Sequence, residues 1–104
     1  MEDDESLEIV DLKEFVGDRT NQLNRIRGRL IGKDGKTRRI IEELTRCDMI
    51  VYGNTVGLIG NSISLPVAKH AVEMILNGSE HSSVYHYLEG QRPRLRITEM
   101  GFDL

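Results

Sequence analysis

Two glycines three residues apart, Gly32 and Gly35, stand between two segments of helical apolar spacing, and they constrain this chain more than any other feature. The surrounding stretch is Leu30-Ile31-Gly32-Lys33-Asp34-Gly35-Lys36-Thr37-Arg38-Arg39. Glycine lets a turn take backbone angles closed to other residues and lets the main chain approach a ligand closely. Lys33, Lys36, Arg38 and Arg39 make the surroundings cationic. A cationic glycine turn that opens a helix is suited to gripping phosphate.

The segments on either side define the fold class. Leu7 to Leu12 reads as a first strand, and residues 1–6 as an acidic tail. Gly17 to Asn21 carries turn chemistry. A short helix is expected from Gln22 to Arg29, with Leu23 and Ile26 on one face and Gly28 helping to end it. Thr37, Ile40, Ile41 and Leu44 follow the i, i+3, i+4, i+7 spacing of a second helix. Met49 to Tyr52 and Thr55 to Ile59 read as strands joined by a Gly53-Asn54 hairpin turn. A third helix is expected from Leu65 to Leu76, with Ser64 as N-cap, Pro66 in its first turn, and Gly78 as its stop. Its buried face would be Val67 or Ala68, with Ala71, Val72 and Ile75. A further short helix is expected over Ser82 to Leu88. Residues 91–104 read as a basic extension, extended around Arg92-Pro93-Arg94-Leu95-Arg96. The order β-α-α-β-β-α implies an α+β fold, a three-stranded antiparallel sheet covered on one face by three helices.

The net charge of −3 argues against a uniformly basic nucleic-acid binder, but the charge is segregated. Glu2, Asp3, Asp4, Glu5, Glu8, Asp11 and Glu14 face only Lys13 in the first 14 residues. Residues 25–46 instead carry Arg25, Arg27, Arg29, Lys33, Lys36, Arg38, Arg39 and Arg46 against Asp34, Glu42 and Glu43. Such asymmetry points to an anionic partner of one region. Cys47 is the single cysteine and reads as a small core residue, with no disulfide framework. His70, His81 and His86 have no metal-ligand spacing, so no metal is expected. No nucleophile–base or carboxylate pair suggests an enzyme. No signal peptide or membrane-length apolar run is present, and the chain reads as cytoplasmic.

Gly35-Lys36-Thr37 matches the end of a nucleotide-binding P-loop, G-x-x-x-x-G-K-[ST], but Leu30 stands where the first glycine belongs and the turn follows a helix. The dinucleotide G-x-G is absent as well. Leu30-Ile31-Gly32-Lys33-Asp34-Gly35 does resemble the (I/V)-I-G-x-x-G core of type I KH domains, whose loop clamps single-stranded nucleic acid. The longer match resembles one KH subfamily. It runs from Arg27 to Arg38, then Ile41-Glu42-Glu43-Leu44-Thr45, Ala71 to Leu76 and Gly78 to Tyr85. This subfamily is the second KH domain of the Dim/Pno-type small-subunit ribosome assembly factors. The resemblance covers residues 7–90. Family members usually carry two KH domains and this chain has room for one, so it reads as a fragment, a shortened homologue or a separate KH protein. Asp34 also departs from the family pattern, since many KH loops have glycine or a basic residue there.

The resemblance implies a groove for about four unpaired nucleotides between the glycine turn and the second strand. Gly32, Lys33, Asp34 and Gly35 would meet phosphates through the backbone. Lys33, Lys36, Arg38, Arg39 and Arg29 would supply charge, with Arg25 and Arg27 as extensions of the track. Ile31, Ile41 and either Met49 or Val51, here taken as Val51, would floor the groove, with Ile31 and Ile41 at least partly core as well. Arg46 reads as a solvated residue and Tyr52 as a half-buried strand residue. With three tyrosines, two phenylalanines and no tryptophan, aromatic stacking is not the main device. Gly32→Asp is expected to weaken RNA binding with the fold largely intact. The resemblance also implies small-subunit rRNA near its 3′ end as ligand, with a Nob-type PIN-domain endonuclease and an initiation factor subunit as protein partners. No cofactor, membrane or small-molecule substrate is implied. Alternatives are a KH subunit of an exosome cap or transcription factor, or a KH fold used only for protein contact.

Overall fold

A computed structural model describes residues 5–99, with side chains through residue 91. Strand β1 (Glu5–Asp11) leads through a one-turn helix α1 (Lys13–Val16) into α2 (Thr20–Ile31). A single 3₁₀ turn, Lys33–Gly35, links α2 to α3 (Lys36–Thr45). The hairpin β2 (Asp48–Tyr52) and β3 (Thr55–Asn61) follows, then α4 (Ser64–Leu76) and α5 (His81–Glu99). The sheet is antiparallel throughout in the order β1-β3-β2. The expected α+β, type I KH arrangement is therefore present, with α1 and a longer α5 added.

The hydrophobic pattern explains which side of the sheet is covered. Along β3, Val56, Leu58 and Gly60 point into the core, and Met49 of β2 and Val10 of β1 join them. Helices α3 and α4 pack on the strands, α2 packs against both, and α5 closes over α3 and α4 from outside. Because α4 is covered on two sides, Leu65, Val67, Ala68, Ala71, Val72, Ile75 and Leu76 are all buried. Val84 and Leu88 of α5 are fully buried, which makes α5 part of the core rather than an appendage. Gly60 is a packing requirement, since a Cβ there would lie 3.3 Å from the Cβ of buried Cys47. Burial pushes the Cys47 thiol pKa up; the Thr45 hydrogen bond opposes this and the charge of Asp48 adds to it.

Several boundaries differ from the sequence expectation. Glu5 and Ser6 belong to β1, while residues 1–4 of the expected tail lie outside the described residues. Helix α1 was not expected, because one turn is too short to show a helical period. Gly28 does not end α2, which continues to Ile31. Leu23, Ile26 and Leu30 all bury the same face, which outweighs the penalty of about 1 kcal/mol for a helical glycine. Ser64 is the first residue of α4, not its cap. The Asn61 side chain does the capping, as its Oδ1 accepts the backbone N–H groups of Ile63 at 3.0 Å and Ser64 at 2.7 Å. Helix α5 starts at His81 and runs through Gly90 and Pro93 to Glu99, so Arg92 to Arg96 are helical rather than extended. The flanking Arg92, Arg94, Leu95 and Arg96 are good helix formers, although Pro93 both removes a donor and crowds the carbonyl four residues earlier. Residues 100–104 of the expected basic extension lie outside the described residues.

Candidate nucleic-acid interface

The turn between α2 and α3 is built on three residues with positive φ, Gly32, Asp34 and Gly35. Gly32 (φ 77°, ψ 172°) stops α2, and its N–H donates to the Gly28 carbonyl at 2.8 Å. Asp34 (φ 55°, ψ 29°) and Gly35 (φ 75°, ψ 13°) are both left-handed. The Gly35 N–H closes the turn on the Gly32 carbonyl at 3.2 Å. Asp34 is thereby accounted for conformationally, since aspartate is among the residues that tolerate the left-handed region. Lys36 then opens α3; its own N–H donates to the Lys33 carbonyl, and no side chain caps the N–H groups that follow. Those groups carry the positive end of the helix dipole. Lys33, Asp34, Lys36, Arg38 and Arg39 are all exposed around this terminus, while Gly35 is half-buried.

The turn is braced from behind by residues distant in sequence. A Cβ on Gly32 would collide with Thr37, including its backbone nitrogen at 2.7 Å. Thr37 is buried, and its Oγ1 is hydrogen-bonded to the Tyr85 hydroxyl of α5 at 2.9 Å. His81, one turn earlier on α5, places Nε2 2.9 Å from the Arg29 carbonyl, and its ring stacks with Tyr85 at 6.1 Å. Tyr85 and His81 lie in a stretch that carries the family resemblance, but local sequence did not tie them to the turn, because they reach it only through the packing of α5. Tyr85→Phe leaves the buried Thr37 hydroxyl without this partner. The expected cost is about 1–2 kcal/mol of stability, with faster amide exchange at residues 32–35, measured by denaturant unfolding and hydrogen exchange.

The structure redistributes some of the expected site residues. The guanidinium of Arg29 is half-buried and donates to the carbonyls of Ile75 at 3.3 Å and Ser79 at 2.5 Å. It caps the C-terminal end of α4, so its charge is committed there rather than to the groove. Ile41 is 0% exposed and belongs to the core, not to a groove floor. Its side chain points inward because α3 lies with that face against the sheet. Met49 is likewise fully buried, whereas Val51 is half-buried against the core and Ile31 is exposed at the end of α2. Arg38 lies 3.6 Å from Glu42, whose carboxylate also accepts the Met49 N–H. Arg27 donates to the Gly53 carbonyl at 2.9 Å and to Asn24, tying α2 to the tip of the hairpin. Tyr52, expected half-buried, is 81% exposed. Among the expected residues, Gly32, Lys33, Asp34, Gly35 and Lys36 thus form one continuous turn, with Ile31 before it and Arg39 exposed in the first turn of α3.

Comparison with known proteins agrees with this architecture. A family profile described as a eukaryotic-type (type I) KH domain matches residues 6–93. A KH domain-containing protein of Methanocaldococcus jannaschii is 42% identical over 94 residues, covering 90% of this chain and 41% of that protein. The pre-rRNA-processing protein PNO1 of Candida glabrata is 34% identical over 92 residues, covering 88% of this chain and 34% of its own length. Among solved structures, that of an a/eIF2α–aDim2p–rRNA complex from Pyrococcus horikoshii contains a similar chain. It superposes with a TM-score of 0.83 at 44% identity, over 91% of this chain and 51% of that one. The chain therefore spans about half or less of the length of these proteins. By strand order, by the glycine turn between α2 and α3, and by similarity along nearly its whole length, this chain belongs to the type I KH domains of the PNO1/Dim2 rRNA-processing family.

Proposed function

We propose that this chain binds single-stranded RNA without catalysing a reaction, through the turn formed by Gly32, Lys33, Asp34 and Gly35. The observation that carries the proposal is the conformation of that turn. Two glycines with positive φ expose the main chain at the uncapped start of α3, ringed by Lys33, Lys36 and Arg39. Backbone N–H groups and lysines hold phosphates and position a strand without reading its bases. Ile31 and the accessible part of Val51 offer the apolar surface against which unstacked bases can rest.

The ligand we propose is small-subunit rRNA near its 3′ end, with presentation of that region to a Nob-type PIN-domain endonuclease. The pre-rRNA-processing name of the fungal relatives and the rRNA in the Pyrococcus complex support an rRNA ligand. The same complex contains an initiation factor α subunit, which supports such a subunit as a second protein partner.

Lys33→Asp is the direct test, because the side chain is exposed and its removal leaves the backbone of the turn in place. Affinity for a single-stranded oligoribonucleotide copying the 3′ end of small-subunit rRNA is expected to fall by about tenfold, with a salt slope lower by about one ion. Unchanged affinity would remove the turn from the interface. A wild-type chain that binds no single-stranded RNA would favour a KH fold used for protein contact alone. Equal affinity for unrelated sequences would favour a general RNA machine such as an exosome cap or transcription factor.

A further inference from the structure

The outward face of the sheet breaks the alternation expected when one side of an antiparallel sheet meets water. By register, Leu7 lies opposite Ile59, which lies opposite Asp48; Ile9 lies opposite Gly57, which lies opposite Ile50. Glu5 with Asn61, and Asp11 with Thr55 and Tyr52, close the two ends. Leu7 is 54% exposed, Ile9 63%, Ile50 54% and Tyr52 81%. Among the described residues, the other large hydrophobic exposed in this way is Ile31, beside the glycine turn. Contiguous exposed apolar surface of this kind marks an interaction site rather than a random scatter.

Shape and charge identify the occupant. Gly57, in the middle of the central strand, adds no side chain between the flanking Ile9 and Ile50, and Leu7 Cδ1 reaches to 3.8 Å from where its Cβ would stand. Three strands span about 10 Å between their outer axes, which matches the width of one α-helix. Acidic residues stand on both edges of the face, Glu5 and Asp11 on β1 and Asp48 on β2, while the outward positions of β3 are uncharged. No lysine or arginine occupies an outward position of any of the three strands. RNA phosphates would meet only carboxylates here. A second copy of the chain would bring the same carboxylates to the same edges with no cation to pair them.

We infer that this face docks an amphipathic helix of a partner protein, its apolar stripe lying along β3 over Gly57. Lysines or arginines border that stripe, facing Glu5 and Asp11 on one side and Asp48 on the other. The site is on the opposite side of the sheet from the helical layer and is independent of RNA binding at the glycine turn.

The probe is a synthetic leucine/lysine amphipathic helix of about 18 residues, about 27 Å long, with a leucine/glutamate peptide of the same apolar pattern as control. In NMR titrations of the full chain, the lysine peptide is expected to bind with micromolar affinity. It should shift the amides of Leu7, Ile9, Ile50, Gly57 and Ile59, and the glutamate peptide should not bind. Ile9→Asp, at an exposed position and checked as folded by its thermal midpoint, is expected to weaken binding by about tenfold or more. Glu5→Lys with Asp48→Lys is expected to reverse the preference between the two peptides. Equal binding of both peptides, shifts centred elsewhere, or an Ile9→Asp variant that binds normally would overturn the proposal. So would a dimer in sedimentation that Ile9→Asp dissolves, or an oligoribonucleotide whose shifts centre on these strands. Failure of RNA binding in the same titrations would count against the glycine-turn reading alone.

Discussion

Replacing Gly32 with alanine is expected to lower the unfolding free energy by about 2–5 kcal/mol, measured by urea or thermal unfolding. Two independent costs add here. At φ 77° and ψ 172° the backbone lies in a region that is essentially restricted to glycine. A Cβ would also stand 2.7 Å from the backbone nitrogen of Thr37, which is fixed at the first turn of α3. Thr37→Ala is therefore not expected to rescue the variant, since it removes the hydroxyl and leaves the nitrogen. The same geometry overturns the expectation that Gly32→Asp would weaken RNA binding with the fold largely intact. Any side chain at this position strains the turn first. Gly35 differs: it shares a positive φ, but a Cβ there has open space, so the cost of Gly35→Ala is expected to be smaller. Unequal stability losses at the two glycines are the result to look for. Equal losses would mean that neither the Thr37 contact nor the stricter backbone conformation of Gly32 adds to its cost.

Ile41→Ala is expected to cost about 2–5 kcal/mol, through the transfer free energy of the lost side chain and the cavity left behind. Ile41 has no exposed surface and sits with Leu30, Met49 and Leu58 in the core. In a domain of this size, such a loss is a large part of the total stability. Ile31→Ala should behave in the opposite way. At 37% exposure it leaves stability within about 1 kcal/mol, while affinity for single-stranded RNA falls. Unfolding curves and RNA titrations on the two variants separate a core residue from a groove residue. If Ile41→Ala unfolded at the wild-type denaturant midpoint, its assignment to the core would be wrong.

These two isoleucines show where sequence reasoning stops. In the sequence both flank the glycine turn, both are apolar, and helical spacing placed Ile41 on the inner face of α3 without saying how deep. Depth depends on how closely α3 approaches β2 and on the layer that α5 adds, and neither is local. Arg29 is a similar case. In the sequence it belongs to a basic run that points to RNA, whereas the fold brings the end of α4 within reach of its guanidinium, and those carbonyls take up its donors. Periodicity also placed the hairpin, the helix over residues 36–45 and the buried side of α4 correctly. It missed α1 because a single turn carries no period.

What the sequence determined by itself was the chain's punctuation and its class. Short apolar runs bounded by turn residues made the strands, 3.6-residue spacing made the helices, and Gly32-Lys33-Asp34-Gly35 between two helices identified the KH turn. The same glycine spacing recurs at Gly57 and Gly60, where it lies inside β3 and forms no turn, so spacing acquires meaning only with the elements around it. The tertiary structure alone decided which groups near the turn stay available. It set Tyr85 and His81 behind the turn and drew Ile41 and Arg29 away from it. It also turned Leu7, Ile9, Ile50 and Tyr52 outward together. The physical reason is the same in each case: exposure and hydrogen-bond partnership arise from contacts between segments far apart in the chain, which local residue patterns do not encode.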